Sequence, residues 1–244
     1  MTKTRLCLLL AIAGFSCCRG DLAVAIEREN LRFYLSFEDG LQPSIAGPGT
    51  QLQFVKGAAR DAQLVEGRRG RGLEVTPNLC LQYATRQSFM PKEGTIAFWM
   101  KPVGWGGCNQ FRYFLKVHSD AAVLHFYIYY GNPWFYVAGP KRYVLVGGNA
   151  RSAFEKEPFP EGQWTFLAAT YKPGQQASYI NGKLDNRITE GLIEPEFVKT
   201  GVVEIPPGDQ VLDEIMVFDR PLTELEIQAV YRANVPGDES GTAP

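Results

Sequence analysis

Histidine is nearly absent from this 244-residue chain: there are 2, at His118 and His125. That leaves little room for histidine-based catalysis or a multi-histidine metal site. Charge of one sign is also missing. Lys+Arg 25 against Asp+Glu 26 gives a net charge of −1, so gripping nucleic acid or an anionic membrane by bulk charge is excluded. No Gly-x-Ser-x-Gly elbow occurs, and no strand-like segment sets acids at alternate positions as a Glu-x-Asp-x-x-Glu run would. Glu155-Lys156-Glu157 and Glu194-Pro195-Glu196 hold acids two apart, but in polar, proline-bounded stretches that read as solvated loops. Two carboxylates facing a scissile bond are therefore not in evidence, and the chain reads as no enzyme.

One short apolar run stands at the amino terminus. Lys3 and Arg5 precede Leu6–Phe15, and Arg19 ends the run. A basic start, a brief hydrophobic stretch and small residues at Ala23-Val24-Ala25 form a secretory signal over residues 1–25, too short to span a bilayer comfortably. Nothing later is long and apolar enough to span, so the mature chain is expected to be exported, whether periplasmic, secreted or at the cell surface. A lipid anchor at Cys17 or Cys18 is the alternative ending of the same leader. Removing the leader leaves 2 of the 5 cysteines, Cys80 and Cys108. In an oxidising compartment they invite a disulfide, which the chain-entropy model values at about 3–4 kcal/mol. Two unrelated thiols are the competing reading.

What the chain has in quantity is glycine (25), proline (16) and aromatic residues (12%). From Leu31 onward, short apolar or alternating runs are cut by Gly, Pro and Asn, the pattern of strands and turns. Strands are expected at Leu31–Phe37, Leu52–Val55, Gln63–Val65, Leu73–Val75, Leu79–Tyr83, Thr95–Met100, Arg112–Val117, Leu124–Tyr130, Trp134–Ala138, Tyr143–Val146, Gln163–Tyr171, Ala177–Ile180, Lys183–Arg187 and Val211–Phe218. Asn181-Gly182 predicts a tight hairpin. Thr223 with Glu226 three residues on predicts a capped helix whose apolar face is Leu225, Ile227, Val230 and Tyr231. The expected fold is all-β, a two-sheet antiparallel jelly-roll sandwich over residues 31–234, with one short C-terminal helix and a flexible tail over 235–244.

Several pieces in order resemble the laminin-G-like jelly-roll domain of the concanavalin A-like lectin/glucanase superfamily. They are Phe33–Gly40, Gly70-Arg71-Gly72-Leu73, Gly94–Pro102, Trp164–Tyr171 with Tyr179–Leu184, and Leu212–Thr223. That resemblance implies the fold but no one ligand, since the fold hosts lectins, glycanases, adhesion modules and structural domains. It also implies that the end of the first strand and the start of the last lie together. Acids there, Asp39 and Asp213 with Glu38 or Glu214 assisting, would then hold a structural calcium ion. The competing reading makes them turn caps and acceptors for backbone amides.

Residues Trp105 to Tyr143 are dense in rings: Trp105, Tyr113, Tyr127, Tyr129, Tyr130, Trp134, Tyr136 and Tyr143. Strand alternation puts His125, Tyr127 and Tyr129 on one face and Leu124, Phe126, Ile128 and Tyr130 on the other. The first set, with Trp105 and Trp134 beside expected turns, forms a candidate surface for sugar rings. Trp99 and Trp164, inside apolar strands, read as core. The expected function is an exported, non-catalytic module that recognises carbohydrate or an extracellular polymer. The alternative is a protein-adhesion or envelope-structural domain, partnering another envelope protein, without a glycan site. A glycan hydrolase is the remaining option.

Overall fold

The computed structural model describes residues 28–86, 92–107, 111–119, 122–129, 132–139, 143–147, 159–192 and 200–232. The signal segment, Cys17, Cys18, Cys108, Tyr130, both loop acid pairs and the tail lie outside the described residues.

Among the described residues fifteen strands form: β1 (Leu31–Leu35), β2 (Gln51–Lys56), β3 (Gln63–Glu66), β4 (Arg71–Val75), β5 (Cys80–Arg86), β6 (Gly94–Pro102), β7 (Arg112–His118), β8 (Val123–Tyr129), β9 (Asn132–Ala138), β10 (Tyr143–Gly147), β11 (Thr165–Lys172), β12 (Gln175–Ile180), β13 (Lys183–Ile188), β14 (Thr200–Ile205) and β15 (Gln210–Phe218). Among the described residues one α-helix, α1 (Glu224–Arg232), follows. Every strand pairing is antiparallel. The all-β, two-sheet jelly-roll sandwich expected from the sequence is the fold.

The first sheet runs β13-β12-β11-β6-β15-β4-β3, with β1 also on β15. Along one edge β15 pairs with β6; along the other it pairs first with β4 and then with β1. The handover between them falls at Asp213–Glu214. There the register to β6 slips, and Glu214 adopts a left-handed φ of 51°. The second sheet runs β10-β9-β8-β7-β14-β5-β2. Strand β14 was not anticipated; Gly201 interrupts a run too short to carry an alternation signal of its own.

Alternation turns Leu81, Tyr83, Val117, Leu124, Phe126, Ile128, Phe135, Val137, Val203 and Ile205 inward from the second sheet. They meet Phe33, Leu35, Ile96, Phe98, Met100, Leu167, Leu212, Ile215 and Val217 of the first. The far face of the first sheet is covered as well. Trp99, Phe166, Tyr179 and Met216 on it pack under Ile227 and Val230 of α1, and Trp99 stacks on Tyr231 at 5.4 Å. Trp164 is half-buried, with the Lys101 ammonium 4.9 Å above its ring.

Local signals fold as their chemistry dictates. Asn181 (φ 49°) and Gly182 (φ 75°) close the β12–β13 hairpin. The Thr223 hydroxyl accepts the Glu226 N–H at 3.3 Å, while the Glu226 carboxylate accepts the Thr223 N–H at 2.8 Å, completing the capping box of α1. Arg220 grips the same carboxylate with both terminal nitrogens, at 3.0 and 2.6 Å, and holds it down to about 2. Among the described residues no helix is long and apolar enough to cross a membrane.

Candidate functional site

The far face of the first sheet packs under α1, and the far face of the second carries a continuous set of polar and aromatic side chains. Register places one row of side chains straight across all seven strands. In order they are Gln53, Gln82, Glu204, Lys116, His125, Tyr136 and Leu145. At about 4.8 Å per strand, the row is roughly 30 Å long. A second row beside it runs Tyr113, Tyr127 and Trp134. A third ends on Tyr143 at the β10 edge, through Ala138 and Val123 from His118.

One end of this face is aromatic. Tyr113 meets His125 at 5.4 Å and Tyr127 at 5.8 Å. His125 stacks on Tyr136 at 5.6 Å, and Tyr136 on Tyr143 at 5.3 Å. Phe111, at the mouth of β7, closes against Tyr113, Tyr127 and Tyr129 at 4.6, 4.9 and 5.9 Å. Tyr129 and Tyr143 are 43% and 62% exposed, and Phe111 is exposed too, so three rings of the cluster stand open to solvent. Exposed apolar rings rimmed by hydroxyls are a surface suited to a partly polar, partly apolar ligand.

The other end is polar and centred on Glu204. Its carboxylate accepts from Gln82 Nε2 at 2.7 Å and Lys116 Nζ at 2.9 Å, with His118 Nε2 at 3.4 Å. His118, Lys116 and Gln82 hold Glu204 down to about 2 against its burial. Lys116 also lies 4.5 Å from the Tyr113 ring, joining the polar end to the aromatic one. His125 is pushed down to about 4 by burial, with Lys116 and His118 adding to the effect, so it is a neutral imidazole at pH 7. Tyr127 is pushed up to about 12 by burial among neighbouring phenols and stays a hydroxyl donor.

His125, Tyr127 and Tyr129 thus share one face, as alternation required, though Tyr127 is nearly covered. Trp134 joins the same face opposite Tyr127 and donates its indole N–H to the Tyr129 carbonyl at 3.4 Å. Half-buried, it also lines a narrow crevice where the two sheets meet, beside Ser178 and Asp185.

Trp105 is a correction. It is 6% exposed and part of the main core, parallel to Phe114 at 6.2 Å, with its N–H on the Asp209 carbonyl at 2.5 Å. The flanking glycines suggested a presented loop. In fact Gly104 and Gly107, at φ 70° and 49°, bend the chain so that the indole turns inward. Conversely, the sequence carries no local signal for Gln82, Lys116, His118 and Glu204 as one group. Their positions, scattered from 82 to 204, share no spacing that a sequence pattern could show.

The expected calcium ligands do converge in part, yet with donors rather than open lone pairs. Asp213 Oδ2 accepts the N–H groups of Arg68 and Arg69 at 2.8 and 3.0 Å, and its Oδ1 accepts that of Glu214 at 2.8 Å. Both Glu214 oxygens accept the Tyr34 hydroxyl, at 3.0 and 2.9 Å. Glu38 accepts the Arg71 N–H at 3.1 Å and packs against Gly70. Asp39 is exposed in the turn that the Gly40 N–H closes on the Phe37 carbonyl at 3.3 Å. A hard cation needs several unshared oxygens. N–H groups aimed at the same carboxylates do not fit one, and among the described residues no three His, Cys, Asp or Glu are grouped to hold a metal ion. Cys80 is a buried free thiol, pushed up chiefly by burial, and its expected partner Cys108 lies outside the described residues.

Fold and face together define a jelly-roll sandwich whose first sheet packs under α1 and whose second carries the ring cluster. Residues 81–228, more than half of the chain, match the laminin-G-like model described as the concanavalin A-like lectin/glucanases superfamily, and the chain belongs to that family. No curated protein matches the sequence. Solved structures do match its fold. The binding domain of Paraclostridial Mosquitocidal Protein 1 superposes at a TM-score of 0.65 with 18% identity, covering 83% of this chain and 52% of that one. The botulinum neurotoxin serotype D ligand binding domain, in complex with N-acetylneuraminic acid, gives 0.67 and 14%, covering 83% and 50%. The binding domain of botulinum neurotoxin DC, in complex with rat synaptotagmin II, gives 0.63 and 14%, covering 83% and 51%. The chain spans about half the length of each.

Proposed function

We propose that this protein is an exported, non-catalytic binding module that recognises carbohydrate through the open face of its seven-stranded sheet. The observation that carries the reading is the unbroken ring cluster from Phe111 through Tyr113, His125 and Tyr136 to Tyr143, adjoined by hydrogen-bonding groups at Glu204, Lys116, His118 and Gln82. Rings take the apolar faces of sugars, and fixed polar groups select their hydroxyls. Two relatives in fold support a binding role: one is held with a sialic acid and one with a protein receptor. Catalysis is disfavoured because the strands of this face present one carboxylate, Glu204, and glycoside hydrolysis ordinarily needs two. A carboxyl held down to about 2 is moreover no proton donor at neutral pH. Export follows the leader-like amino terminus.

A glycan array followed by calorimetry tests the reading. Tyr129→Ala and Tyr143→Ala, at the two exposed ends of the cluster, are each expected to weaken binding about tenfold, roughly 1–2 kcal/mol, with unchanged melting temperature. Full affinity in both variants, or an array blank across all classes, would leave protein adhesion as the better account.

A further inference from the structure

We infer that the ligand of this face is an uncharged glycan, and that Glu204 is the residue that sets this preference by cancelling Lys116. The inference rests on the carbohydrate reading above and goes beyond it to the chemical class of the sugar.

Among the described residues, the charge along the seven-residue row carries the inference; Lys56, opposite Cys80 at the β2 end, has its ammonium on the Pro77 carbonyl at 2.6 Å. Lys116 is the cation of the seven-residue row and Glu204 its anion, and the two are bonded at 2.9 Å. The other members, Gln53, Gln82, His125, Tyr136 and Leu145, add no charge at pH 7, since His125 is neutral. An anionic sugar binds where a lysine or arginine is free to meet its carboxylate. Here the ammonium is already engaged, and an incoming carboxylate would be set close to Glu204, a like charge in a partly dry surface. Glu204 is no bystander that a ligand could push aside: its side chain is 12% exposed and tied to both flanking strands, to β5 through Gln82 and to β7 through Lys116 and His118. A sugar hydroxyl, which both donates and accepts, suits the pair. It can give its proton to the carboxylate and take one from the ammonium. Such a contact leaves the ion pair intact.

The test compares wild type, Glu204→Gln and Lys116→Gln against matched neutral, sialylated and uronate-containing oligosaccharides, at low salt and at about 1 M salt, where the screening length is near 3 Å. Wild type is expected to bind neutral oligosaccharides at least tenfold tighter than charged ones, with little loss at high salt. Glu204→Gln keeps the shape and frees the ammonium, so it should gain at least tenfold for charged oligosaccharides at low salt and lose that gain at high salt. Lys116→Gln should make no such gain; if it does, the role given to Glu204 is overturned. A wild type that prefers sialylated or uronate sugars, with steep salt dependence, overturns the neutral preference while leaving the face as a glycan site. Binding of no oligosaccharide by any of the three proteins overturns the carbohydrate reading, and the preference with it.

Discussion

Trp105→Ala is expected to destabilise the fold by about 3–5 kcal/mol, enough to lower its denaturation midpoint steeply. The indole fills space between Phe114, parallel to it at 6.2 Å, and Phe159 at 6.4 Å, while the Arg112 guanidinium lies 4.8 Å from its ring. Truncation leaves a cavity, since packed neighbours relax only in part. It also strips the Asp209 carbonyl of its indole donor, and loosens Arg112, which is paired with the Asp209 side chain at 2.7 Å. Gly106 fixes the geometry further back: a Cβ there would come within 2.9 Å of the Glu161 nitrogen, so the loop has little freedom to sink into the void. Chemical denaturation followed by tyrosine and tryptophan fluorescence checks the outcome. An unaltered midpoint would contradict the core assignment, and coupled to lost glycan affinity it would return Trp105 to the binding surface.

Replacing Glu214 with Gln should raise stability at pH 8, the reverse of what removal of a hydrogen-bonded group ordinarily does. Glu214 is buried at the β15 bulge beside Asp213, and burial pushes both carboxyls up to about 7, with the neighbouring charge adding to the rise at Glu214. Tyr34 is pushed far up by burial and by Glu214, so it remains a hydroxyl donor throughout. A folded-state value above the unfolded one means that the native protein binds more protons. The associated stability is present below about pH 4.5 and is lost as pH rises through 7. Glutamine keeps the acceptor for Tyr34 and discards the charge. The variant should therefore match wild type near pH 5 and exceed it at pH 8 by about 1–3 kcal/mol. His125 works with the opposite sign. Its folded value lies below the ordinary one, so its contribution is lost as pH falls from about 6.5 to 4. Because both proteins keep His125, the difference between their pH profiles isolates Glu214. Equal slopes, or a variant weaker than wild type at pH 8, would show that the pair is ionised and stabilising.

The fold was legible wherever a local physical rule acted alone. Asn181-Gly182 could scarcely be anything but a tight turn, Thr223 and Glu226 could cap a helix within four residues, and Thr95–Met100 carried the centre of β6 in its composition. Half of the site was legible for the same reason: His125, Tyr127 and Tyr129 are two apart on one strand. The rest depended on partners distant in sequence. Strand β14 is ordered by Tyr83 of β5 and Val117 of β7 across its Val203, and Glu204 acquires its role only when Gln82, Lys116 and His118 arrive from those strands. Trp105 misled because glycines that free a backbone to face solvent free it equally to turn inward. The acids at Glu38, Asp213 and Glu214 gathered near one bulge, but sequence could not reveal that N–H groups of the β3–β4 connection would bond Asp213 and Glu38 and that the Tyr34 hydroxyl would bond Glu214.

The central claim is that the uncovered sheet face meets a saccharide, and backbone and side-chain NMR shifts during titration with the tightest-binding neutral oligosaccharide test it most directly. Shifts should concentrate at Gln82, Glu204, Lys116, Tyr136, Tyr143 and Tyr129, and skip their inward-facing neighbours Val203, Val117 and Val137. Perturbations gathered instead around α1, Trp99 and the β3–β4 turn would place the ligand on the opposite side of the sandwich and contradict the account.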